Sequence, residues 1–199
     1  MQIIWYGESC FKIIYQNLSL LTDPFSPQKK GFKNPRITSE IVIFSSPEEL
    51  KDNKKISGPF VFSGPGEYEI KNIFIQGFPH FEKKKLKTIY KLEGENINIC
   101  FLGNITKRLN DEILEKLGDV EIVLLPIGEK RIESLAIREL IDEIQPKLIL
   151  PSCWQKEKEV LDFAEKIGFK KGNFLDKLKI RKKDLLQEKI ELVILKPSH

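Results

Sequence analysis

Up to about residue 103 the apolar positions fall in short runs that alternate or are continuous, and none has a helical period. The runs "MQIIWYG", "CFKIIYQ", "LSLLTD" and "EIVIFSS" are rich in β-branched and aromatic residues and are separated by Asn, Pro and Gly, which predicts strands joined by turns. "GPFVFSGPGEYEIKNIFIQGF" adds two or three more strands around the turn at Gly64, Pro65 and Gly66. "KTIYKLEGENINICFLG" reads as a hairpin turning near Gly94 and Glu95, which completes an antiparallel-looking half. Beyond Gly103 the period changes. "NDEILEKLGD" has Asn110 as an N-cap, acids in its first turn and a stop at Gly118. In "RIESLAIRELIDEIQP", Ile132, Ala136, Ile137, Leu140, Ile141 and Ile144 recur at helical spacing until Pro146. "QKEKEVLDFAEKIGF" is a further helix, and "VEIVLLPIG", "KLILPS" and "KIELVILKP" are strands. A β-rich half followed by β-α-β-α-β predicts two sheets packed face to face with helices outside.

Composition narrows this reading. A chain of 199 residues with 41% hydrophobic and 31% charged residues is globular material with room for a sizeable core, and no Pro/Gly/Ser-rich break divides it, so residues 1–199 are read as one domain. No apolar run approaches the roughly 20 residues that a membrane-spanning helix needs, and "MQIIWYGESC" has no export-signal pattern, so the expected location is cytoplasmic. Cys10, Cys100 and Cys153 form no C-x-x-C pair and read as reduced thiols, the first two as core. The formal charge of +4 comes from lysine-rich runs, "PQKKGFKNPR", "KDNKK", "EKKKLK" and "IRKKD", against 29 acids. These read as solvated loops, and only Phe32 and Phe81 are interleaved as stacking aromatics. "SGPGEYE" lacks the Lys and the following helix of a phosphate loop and reads as a tight turn.

Five segments in order carry a resemblance. "IIWYGESCFKI" with "LLTDPF", then "FSGPGEYEIKNIFIQGF", "KTIYKLEGENINICFLG", "LGDVEIVLLPIG" and "QPKLILPSCW" resemble the metallo-β-lactamase superfamily, specifically its small bacterial Zn-dependent hydrolase-like branch near the L-ascorbate-6-phosphate lactonase group. The resemblance implies an αββα sandwich of two mixed β-sheets flanked by helices. It also implies hydrolysis by one or two zinc ions that lower the pKa of a bound water.

The implied ligand positions are degenerate. Glu8 stands where the family's opening motif has His; the positions of the His-x-His-x-Asp-His loop fall at Ser46, Glu48, Leu50 and Lys51; the bridging Asp becomes Asn104; and the last His becomes Cys153. His80 lies near another family His, and the only other histidine is the terminal His199. Leu50 offers no donor and Lys51 adds positive charge where a dication would sit. Cys153 is either a zinc ligand or nucleophile, with His80 as its base, or a buried thiol beneath Trp154. Glu8 and Glu48 are either a carboxylate pair or partners of Lys51 and Arg36. The favoured expectation is a pseudo-hydrolase with no cofactor and no catalytic residues, binding a small molecule or protein, with a homo-oligomer left open. The alternative is a remodelled mononuclear zinc hydrolase around His80, Cys153, Glu48 and Asn104. A third reading is a weak, basic nucleic-acid-binding module.

Overall fold

The computed structural model describes residues 1–24, 38–52, 60–128, 131–169 and 174–198. Period-2 burial builds the first layer: in β1 (Gln2–Gly7) Ile3 and Trp5 are buried while Gln2, Ile4 and Tyr6 are half-buried. A tight turn at Glu8 and Ser9 leads into β2 (Cys10–Ile14), which runs antiparallel with Trp5 opposite Phe11. β3 (Ser19–Thr22) pairs antiparallel with β2. β4 (Ile41–Phe44) and β5 (Phe60–Ser63) then add in parallel. The antiparallel half expected from the sequence is therefore mixed. The signal was the continuous apolar run of β4, whose four residues are all buried, as a parallel strand covered on both faces requires.

The second layer starts as a meander of β6 (Gly66–Ile70), β7 (Ile73–Glu82), β8 (Lys85–Gly94) and β9 (Ile97–Phe101). Its two-residue turns, Lys71–Asn72, Lys83–Lys84 and Glu95–Asn96, have positive φ at both positions, the twist that suits a hairpin. "EKKKLK" is thus not all solvated loop: only Lys83 and Lys84 form a turn, and the rest lies in β7 and β8. The layer continues in parallel through β10 (Ile122–Pro126), β11 (Leu148–Ser152) and β14 (Glu191–Leu192). α2 (Asp111–Leu117) follows β9, α3 (Ser134–Ile144) follows β10 and α4 (Glu157–Lys166) follows β11. Asn110 caps α2 by accepting from the Ile113 N–H at 3.0 Å. The final apolar run, read as one strand, is two: β14 pairs with β11, and β15 (Ile194–Leu195) leaves to pair with β12 (Phe174–Leu175).

Among the described residues the sheets run β13-β1-β2-β3-β4-β5, where β13 is Leu178–Lys179, and β14-β11-β10-β9-β8-β7-β6. Ile3, Trp5, Phe11, Ile13, Leu20, Ile41 and Ile43 of one join Ile75, Tyr90, Leu92, Ile99 and Phe101 of the other in a single buried cluster. This is the αββα sandwich. One helix was not expected: "SSPEELK" begins α1 (Pro47–Asp52), with Pro47 at its first position, where a missing N–H costs nothing. Leu50 packs α1 onto a second buried cluster of Cys10, Leu21, Val42 and Phe44.

Candidate functional site

The ends of β1, β3, β4, β9, β10 and β11 and the start of β8 converge at one end of the sandwich. Asp23, immediately after β3, is buried, and its two carboxylate oxygens accept from the N–H and the hydroxyl of Ser45, each at 2.6 Å. Ser45 in turn accepts from the Thr88 N–H through its carbonyl at 2.7 Å, tying β4 to β8. Gly103, at φ 63°, lies against both: a β-carbon there would meet Ser45 Cβ at 2.4 Å and Asp23 Oδ2 at 3.5 Å. Burial pushes the Asp23 carboxyl up, against the Ser45 and Ser9 donors and the charge of Lys87.

Next to this knot stand two cations. Lys87 Nζ donates to Asn104 Oδ1 at 2.6 Å, and Arg131 donates to the Asn104 carbonyl at 3.1 Å. The Arg131 guanidinium also lies 3.6 Å from Glu8 Oε2, with side-chain exposures of only 18% and 14%, so solvent screens this pair far less than a surface bridge. The Glu8 carbonyl accepts from Trp5 Nε1 at 2.8 Å and from the Cys153 N–H at 3.1 Å. A β-carbon on Gly128 would meet the Cys153 carbonyl at 3.3 Å. Burial pushes the Cys153 thiol up to about 12, opposed by Arg131 and reinforced by Glu8 and Asp23, so it stays protonated at neutral pH. Cys153 is buried, and the next residue, Trp154, packs its ring against Trp5 with centroids 4.7 Å apart.

The other candidate positions sit differently. Ser46 is buried. Glu48 is exposed and pairs with Lys85 at 3.0 Å. The Lys51 side chain, Arg36, Phe32 and His199 lie outside the described residues, as do "PQKKGFKNPR" and most of "KDNKK". Glu8 pairs with Arg131, which the sequence reading did not single out. His80 is opposite Lys87 in the β7–β8 register, and its Nε2 lies 3.5 Å from Glu82 Oε1. Burial holds its pKa below the usual value, against the pull of Glu82. The Glu82 carboxylate is fixed by the Thr106 hydroxyl at 3.0 Å and the Lys107 N–H at 2.9 Å. Burial alone would raise its pKa, but these donors and the Thr106 N–H bring it below the ordinary value. Glu8, Asn104 and Cys153 therefore do meet, whereas His80 is turned to a carboxylate already taken by backbone donors. Two open cavities of about 470 and 450 Å³ lie at the opposite strand ends, around Tyr15, Gln16, Glu95 and Arg181, and share no residue with this cluster.

A profile described as "Beta-lactamase superfamily domain" matches residues 2–152. The chain belongs to the metallo-β-lactamase superfamily. A Thermotoga maritima protein, described only by homology as a Zn-dependent hydrolase of this superfamily, is 24% identical over 98% of this chain and 97% of its own, with a TM-score of 0.82. The isothiocyanate hydrolase from Delia radicum gut bacteria is 11% identical over 100% of this chain and 97% of its own, with a TM-score of 0.65. The metallo-β-lactamase-fold protein YhfI from Bacillus subtilis is 10% identical over 98% and 96%, with a TM-score of 0.63. At these identities the structures show the shared fold alone, and nothing in them bears on the ascorbate-phosphate lactonase group. No curated protein matches the chain.

The superfamily's zinc can now be tested against this cluster. Among the described residues no group of three or more His, Cys, Asp and Glu side chains could hold a metal ion. Where donors do meet they are an amide engaged by Lys87, a carboxylate beside Arg131 and a protonated thiol, the last a poor ligand until it loses its proton. This set does not fit zinc. Asp23, Lys87 and Arg131 went unnamed in the sequence reading, and Gly103 entered only as the point where the period changes: Asp23 lay inside the quoted "LLTDPF", Lys87 inside a run read as solvated, and nothing local marked Arg131.

Proposed function

We propose that this metallo-β-lactamase-fold protein has given up zinc hydrolysis and serves as a binding or assembly protein, acting on a small molecule or another protein in the cytoplasm without a metal cofactor. The observation that supports it is the donor set at the strand ends. The meeting donors are an amide, an ion-paired carboxylate and a thiol that burial keeps protonated. Activating a water at neutral pH requires a Lewis acid or a poised base, and no nucleophile–base pair is drawn together here. His80, the one internal histidine, faces Glu82 at 3.5 Å, with its pKa held down by burial.

The test is elemental analysis of the purified protein, followed by thermal unfolding and turnover of generic ester, lactone and phosphodiester substrates with added zinc or manganese. The expected outcome is zinc well below one equivalent, an unchanged midpoint and no turnover above background. Metal-dependent stabilisation with turnover, both abolished by Cys153→Ala or His80→Ala, would instead establish the remodelled mononuclear hydrolase.

A further inference from the structure

Metal ions in sites built on loops do more than chemistry. They hold together backbone segments that have little reason to converge, and their binding free energy is also folding free energy. A chain that gave up the ion would still have the converging loops.

The loops in this cluster are strained. Glu8, Asp23 and Cys153 are non-glycine residues at φ 47°, 34° and 65°, and Gly103 and Gly128 stand at 63° and 107°. The remaining non-glycine residues at positive φ among the described residues occupy the three two-residue hairpin turns and the C-cap of α3, where that conformation is routine. Strained backbone persists only where its surroundings over-determine it. At Asp23 the restraint is visible in the two Ser45 donors. Cys153 is held by its N–H on the Glu8 carbonyl, and Glu8 in turn is held through positive charge: Arg131 joins its carboxylate to the Asn104 carbonyl, and Lys87 carries the Asn104 amide to β8.

We infer that Lys87 and Arg131 are this cleft's resident cations, tying the strand-end loops at Glu8 and Asn104 to each other and to β8 in place of a divalent ion. The charge balance agrees. Among the described residues, Glu8 and Asp23 supply at most two negative charges and Lys87 and Arg131 two positive ones, which makes this set near neutral. A dication added to it would face two cations in a largely desolvated setting. Lys87 is placed for this by register rather than by chance. It sits directly opposite His80 on the paired strand, two residues on from Lys85, which reaches outward to Glu48 instead. The inference rests on the proposal that the cleft has no zinc, and it adds what replaced the ion.

The experiment is a double-mutant cycle read by thermal unfolding in metal-free buffer, with Lys87→Met, Asn104→Ala and the combination. Lys85→Met serves as the exposed control. Lys87→Met is expected to lower the midpoint by about 6 °C, the scale for losing a part-buried charge-assisted hydrogen bond in a domain of this size. Asn104→Ala should lower it too, and the double variant should fall no further than the worse single one. Lys85→Met should leave the midpoint within about 1 °C, as surface pairs do. Lys87→Arg keeps the charge and should stay near wild type, which preserves the test if Lys87→Met does not fold. Additive losses, a Lys87→Met shift no larger than that of Lys85→Met, or failure of Lys87→Arg alongside Lys87→Met would overturn the inference. Zinc bound stoichiometrically by the wild-type protein would overturn the metal-free reading instead, so the two failures are distinguishable.

Discussion

A β-carbon on Gly103 would lie 2.4 Å from both Cβ and Oγ of the fully buried Ser45, at a φ of 63° that L side chains rarely adopt. Gly103→Ala must therefore displace Ser45 and with it both donors on Asp23. The expected cost is about 2 kcal/mol or more, measured as a lower urea midpoint with the slope unchanged. A shift below ~0.5 kcal/mol would show that the β4 end moves freely. The requirement was half legible in advance. "LGN" could be read as a loop after a strand, but the partner that makes the glycine necessary lies 58 positions earlier by sequence number, at Ser45. Lys87 failed to show for the opposite reason. Four lysines sit within "EKKKLK", and composition alone makes them equivalent; only their positions along β8 and across its turn separate Lys87, bound to Asn104, from Lys85, paired with Glu48.

β8 is the strand on which the two sheets depend. Besides Lys87 and Thr88 it carries Tyr90, whose buried hydroxyl lies 3.1 Å from the carbonyls of Phe44 and Gly64 and accepts from the Gly64 N–H at the same distance. One phenol thus ties the end of β4 and the turn before β6 to the centre of the other sheet. Tyr90→Phe leaves those backbone groups buried without this partner and is expected to destabilise the protein by about 1–2 kcal/mol, read from equilibrium unfolding. An unchanged midpoint would mean that water substitutes at the junction. The helices after Gly103 were legible because each carries local punctuation, as in Asn110 and Gly118 around α2. For the parallel pairing of β3, β4 and β5 the one signal was the continuous apolar run of β4, because strand direction itself is decided by connections that the apolar pattern does not record. The same limit hid the split of the last strand, since nothing in "KIELVILKP" shows that β11 is left at Leu192 and β12 taken up at Ile194.

Over the whole chain, charge is spread rather than focused. The formal charge is +4, and the described lysine-rich segments already spend part of it internally: Lys87 on Asn104, Lys85 on Glu48 and Lys182 on Glu121. Among the described residues Phe60 and Phe81 are exposed aromatics, on strands of different sheets, and two such separate rings are a poor stacking platform. Binding of nucleic acid should therefore be weak and should vanish in moderate salt, as counterion release alone dictates. Filter-binding titrations would show this, and tight, sequence-dependent retention would favour a nucleic-acid module over a pseudo-hydrolase. No described helix is long and apolar enough to cross a membrane. The two ends of the described chain meet in space: Gln2 pairs with Lys179 across β1 and β13, and the Ser198 N–H donates to the Trp5 carbonyl at 2.7 Å. A ribosome making this protein therefore releases the first strand long before its edge neighbour exists. Until residue 179 emerges, β1 has an open side that another nascent chain could fill. Completing this sheet edge must await residue 179 and is limited by closing the long stretch of chain between Gln2 and Lys179.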